Sequence, residues 1–70
     1  MSHYQFSQQD IEATKRYMHV MYPNEPHKAT NEYCLGFLEH LQSRVQTNLA
    51  ELAKDPEELE KQITTFDSSL

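Results

Sequence analysis

Apolar residues recur at helical spacing through most of this chain, and the clearest run is Cys34 to Leu52, CLGFLEHLQSRVQTNLAEL. At 100° per residue, Leu38, Leu41, Val45, Leu49 and Leu52 fall in one stripe, with Cys34 in line and Phe37 and Leu35 at its margins. Glu32, Glu39, His40, Ser43, Thr47 and Glu51 fill the opposite side, which predicts a helix with one dry face. Cys34, Leu38, Leu41, Val45, Asn48 and Leu52 also follow the 4,3,4,3,4 spacing of a two-stranded seam, with Asn48 at a seam position where a buried amide can fix register. The plainer reading leaves Asn48 solvated beside the stripe, since the pattern spans fewer heptads than a coiled coil normally needs.

Two further helices are predicted on either side. Ser7 and Asp10 form a capping-box variant, Phe6 is placed to staple onto Ile11, and Glu12 precedes Arg16 by four. This first helix has Ile11, Met18 and Met21 on its apolar side, broadened by Tyr17 and Val20, and Pro23 ends it near Met21. The stretch from Pro23 to Lys28 reads as a connector, and Thr30 is the preferred cap of the second helix because Glu32 then lies in its first turn. Asp55 as cap, Pro56 at the first helical position and Glu58 as a returning partner start a third segment, in which Leu59 and Ile63 lie one turn apart. Phe66 is placed to fold back as an anchor.

The expected fold is therefore all-α: a helical hairpin over about 8–21 and 31–54 plus a short C-terminal helix over about 56–64, as a three-helix unit or a dimeric helical bundle. The 70 residues are expected to form a single small helical domain, with loose ends at 1–6 and 65–70. A first helix of about 14 residues spans about 21 Å and a second of about 23 spans about 35 Å. The first cannot cover the second, which leaves Leu49 and Leu52 for the third helix or for a second copy of the chain.

Size and charge narrow the choice of partner. A chain this short buries only about 60% of its unfolded surface, so a disulfide, a metal or an oligomeric partner is a common supplement. Cys34 is the only cysteine, which rules out an internal bridge and suits a reducing, cytoplasmic location. No membrane span or signal peptide is expected from the sequence. The net charge of −5 lies wholly in residues 31–70, because three acidic residues and three basic ones balance over 1–30. Nucleic acid is therefore not the expected partner; the alternative reading would use the Lys15, Arg16 and Arg44 side.

The candidate chemistry is sparse. His3, His19, His27 and His40 lack the spacing that presents two imidazoles to one metal, so neither metal nor cofactor is expected. His40 reads as solvated. Cys34, early in a helix, is a conceivable nucleophile but fits better as a small core residue in line with Leu38 and Leu41. Neither a phosphate loop nor a calcium loop is present, and no small-molecule substrate is expected. The expectation is a non-enzymatic helical interaction module, binding a protein partner or itself through Tyr17, Phe37, Leu41, Val45, Asn48, Leu49, Leu52 and Phe66.

Overall fold

The computed structural model describes residues 6–70; His3 and most of the expected loose N-terminus lie outside them. Among the described residues there are four α-helices and no strand: α1 (Gln8–Met21), α2 (Asn31–His40), α3 (Leu49–Leu52) and α4 (Pro56–Ser68). A 3₁₀ turn (Pro26–Ala29) precedes α2, and a π-helical turn (Leu41–Val45) follows it. The all-α expectation holds. The chain divides into two compact units, Met1–Gly36 and Phe37–Leu70.

In the first unit, the start of α1 is the expected capping box. Ser7 Oγ accepts from the Asp10 amide at 3.2 Å, and Asp10 Oδ2 accepts from the Ser7 amide at 3.2 Å. Met18 and Thr14 form its buried side, and the Thr14 hydroxyl donates to the Asp10 carbonyl at 2.8 Å, so a polar group enters the core already satisfied. Tyr22 closes the helix, its amide donating to the Met18 carbonyl at 2.8 Å. The connector is more regular than its two prolines suggest, because Pro26 supplies the first residue of the 3₁₀ turn, where a missing N–H costs nothing. That turn packs against α1. Thr30 then caps α2 as expected, its hydroxyl accepting from the Tyr33 amide at 3.2 Å and its carbonyl from the Cys34 amide at 3.0 Å.

The second unit departs from the expected continuous helix over 31–54. After His40 the backbone widens into the π-helical turn, Gln46 adopts left-handed geometry (φ 58°, ψ 44°), and the amides of Gln46 and Thr47 both donate to the Leu41 carbonyl. Asn48 then starts α3 as its N-cap, its Oδ1 accepting from the Glu51 amide at 2.8 Å. Asn48 is thus a cap and not a residue in a helix seam. Two local competitors explain the break: the Ser43 hydroxyl donates to the Glu39 carbonyl at 2.9 Å, a back-bond that bends helices, and an Asn amide prefers a cap to a helix interior. With the long helix divided, its length no longer demands a cover for Leu49 and Leu52.

At α4, Asp55 caps as expected, accepting from the Glu58 amide at 3.3 Å, with Pro56 at the first helical position. Glu58, expected to return a bond to the cap, accepts instead from Gln62 Nε2 at 2.8 Å. The helix runs past the predicted stop near residue 64, because Thr64 and Thr65 donate their hydroxyls to the carbonyls of Glu60 and Lys61 and are accommodated. Residues 65–68 are therefore helical. This length matters for packing: Leu59, Ile63 and Phe66 are all buried, α4 packs against α3, and Phe66 meets Phe37 with ring centroids 5.7 Å apart.

Candidate functional site

The eight residues expected to meet a partner divide sharply by exposure. Phe37 and Leu41 are fully buried, and Leu52 and Phe66 nearly so. Tyr17, Val45 and Leu49 are half-buried, and Asn48 is exposed as a cap. Of these the structure brings Phe37 and Phe66 together, as part of the core of the second unit. The stripe from Cys34 to Leu52 is thus mostly spent on folding the chain itself. Leu52, expected to be left uncovered, is buried where α3 packs on α4.

Exposed apolar surface lies elsewhere. Val20 is 72% and Met21 52% exposed at the last turn of α1, and Tyr17, half-buried, stands three and four residues before them. Met21 was expected on the buried side of α1. Val20, Met21 and Tyr22 are consecutive, however, and three successive helical positions span about 200°, too wide for all three to face inward. Met18 and Tyr22 take the inner positions, and Val20 and Met21 are left outside. The signal was in the sequence, since a run of three apolar residues at a helix end must expose at least one.

A second cluster in the first unit has no counterpart among the expected site residues. Lys28 is only 3% exposed; its Nζ lies 5.4 Å from the centre of the Tyr22 ring and 5.2 Å from that of Tyr33. It pairs with Glu25 at 3.4 Å and donates to Tyr33 Oη at 3.5 Å. His27 meets Tyr33 edge-on at 6.0 Å. Such a charge is tolerable because the two ring faces and the carboxylate replace part of its hydration. The lysine's stem and head together tie the 3₁₀ turn to the residues on either side of it.

Cys34 is fully buried, and its thiol donates to the Lys28 carbonyl at 3.4 Å. Burial pushes its pKa up to about 11, against the lowering pull of Lys15 and with a small further push from Glu12. A thiol held neutral in this way is a poor nucleophile, so the geometry supports the core reading of Cys34.

His40 is not simply solvated. Half-buried, it stacks on Phe37 at 6.3 Å and meets Phe66 at 5.6 Å, and its Nε2 lies 3.2 Å from Gln62 Oε1. Phe66, which completes these surroundings, lies beyond the predicted stop of α4. Among the described residues no group of three or more His, Cys, Asp or Glu side chains is placed to hold a metal ion. No helix there is long and apolar enough to cross a membrane. Lys15 and Arg16 lie in the first unit and Arg44 in the second, and Lys15 is already paired with Glu12 at 3.6 Å. Comparison with protein families, curated proteins and solved structures gave no match to the chain.

Proposed function

We propose that this chain is a small non-enzymatic helical interaction module, a regulator, adaptor or subunit in the cytoplasm, that binds a protein partner or a second copy of itself through apolar helix surface. The observation carrying this reading is the side-by-side exposure of Val20 and Met21 next to Tyr17. Val20 is a weak helix former, and Val20 and Met21 each leave apolar area in water that a partner would remove at a gain of about 25 cal/mol per Å². Methionine also adapts its shape to a partner, and tyrosine combines apolar area with a polar tip. Around this patch Arg16 and His19 are exposed and supply a polar rim that would set orientation more than strength.

The test is residue-resolved. Amide resonances of the full chain are followed through a dilution series, alone and with Val20→Lys and Met21→Lys together. Concentration-dependent shifts centred on residues 17–21, lost in the double variant without loss of helicity, are expected. A spectrum invariant with concentration denies self-association through this face. Salt-dependent shifts on adding DNA or RNA, abolished by Lys15→Ala with Arg16→Ala, would replace the protein-partner reading by a nucleic-acid one.

A further inference from the structure

At the backbone, the break between α2 and α3 is made by local bonds, the Gln46 and Thr47 amides on the Leu41 carbonyl and the Asn48 cap, while Phe37 and His40 meet Phe66 across it. Gln46, Thr47 and Asn48 include neither glycine nor proline, and Gln46 occupies the left-handed region that glycine and asparagine take most readily. The apolar residues from Cys34 to Leu52 keep helical spacing, so an uninterrupted helix is open to the same sequence. Straightening would return Gln46 to right-handed geometry and convert the π-helical turn to α. It would give up the Asn48 cap, and the freed amides would be taken up by helical carbonyls.

Straightening would also carry the α3–α4 pair away from the end of α2. Specific neighbours would then separate: Phe37 from Phe66, now 5.7 Å apart, His40 from Phe66 at 5.6 Å, and His40 Nε2 from Gln62 at 3.2 Å. A second copy of this chain carries the same surfaces and can restore each pairing from its own α3–α4 segment. Exchange of an identical element is a low-cost route to a dimer, and a short hinge under strain favours it. The same straightening sets Leu41, Val45, Asn48 and Leu52 back in the 3- and 4-residue row of a seam.

We propose that Gln46 to Asn48 is a hinge through which two copies of this chain exchange their α3–α4 segments, forming a dimer across continuous helices from α2 into α3. The proposal gives self-association a geometry and rests on the interaction-module reading only in requiring that the chain associate with itself; it does not use Val20 or Met21. Gln46→Gly favours the closed hinge, because glycine takes the left-handed geometry freely and disfavours the straight helix. With two hinges per dimer, the variant is expected to raise the dimer dissociation constant about tenfold or more.

The decisive experiment uses the full chain. Carbon-13-labelled and unlabelled chains are mixed, unfolded, refolded dilute and then concentrated to equilibrium, and isotope-filtered NOEs are recorded on the dimer. The Phe37–Phe66 and His40–Phe66 pairings are expected to appear between chains. If they remain within one chain in the dimer, or if Gln46→Gly leaves the dissociation constant unchanged, the exchange is wrong while the interaction-module reading stands. In that case Val20→Lys with Met21→Lys should abolish the dimer. A monomer at every concentration, for the parent chain and for Asn48→Ala, overturns the exchange and the self-association together.

Discussion

Cys34 and Lys28 show how burial decides chemistry one residue at a time. Cys34 lies in the first turns of α2, where the helix dipole favours a thiolate, yet removal from water outweighs it and raises the pKa from 9.0 to about 11. The folded state therefore binds the thiol proton more tightly than the unfolded chain does. Its contribution to stability is complete below pH 9 and is lost as pH rises towards 11, on the order of 2 kcal/mol. Urea unfolding at a series of pH values should show this extra alkaline loss in the parent chain and not in Cys34→Ala. Alkylation of native Cys34 should likewise be far slower than in urea. The core role of Cys34 was legible because its position follows the stripe of Leu38 and Leu41. Lys28 was not legible: a lysine in a proline-rich connector reads as solvated, and only the 3₁₀ turn brings Tyr22, Glu25 and Tyr33 around it. Neighbours gathered by a turn of the backbone leave no periodic trace in the sequence.

Among the elements, cap chemistry was the most faithful guide and periodicity the least. Ser7, Thr30 and Asp55 each cap the helix that their sequence context promised. Asn48 followed by Glu51 carries the same kind of start signal, an Asn three residues before a Glu, and the apolar stripe running across it masks that signal. Periodicity reports which residues share a face if the helix continues; it cannot report a break whose far side keeps the same phase. The two breaks differ in what enforces them. Pro56 makes an uninterrupted helix through residue 55 costly, whereas nothing comparable stands at residues 46–48. Asp55→Ala is therefore expected to cost about 1 kcal/mol and to lower helicity. Asn48→Ala should cost less and keep or raise helicity, since a continuous helix is open to it. Circular dichroism with urea titration of both variants measures the contrast, and equal losses of helicity would remove the distinction between an enforced break and a local one.

For the molecule as a whole, the sequence announced an all-helical chain but pointed to residues that the fold itself consumes. Phe37, Leu41, Leu52 and Phe66 were candidates for a partner and are instead buried within the chain. For Phe37 and Phe66 the reason is α4, which continues to Ser68 and so adds the turn that carries Phe66 to Phe37 and His40. Apart from Leu70 at the chain end, the large apolar side chains left in water among the described residues are Val20 and Met21, visible beforehand only as part of a run of neighbours that one helix face cannot hold. A chain of 8.3 kDa gains stability from any partner that covers such area, and the stabilisation grows with partner concentration. The most direct measurement of self-association is the light-scattering mass of the full chain across a dilution series. A rise from 8.3 kDa towards twice that value with concentration is expected, with Gln46→Gly displacing the rise to higher concentration. A mass that stays at 8.3 kDa throughout, for the parent chain and for Asn48→Ala alike, would contradict both the exchange and the self-association it requires.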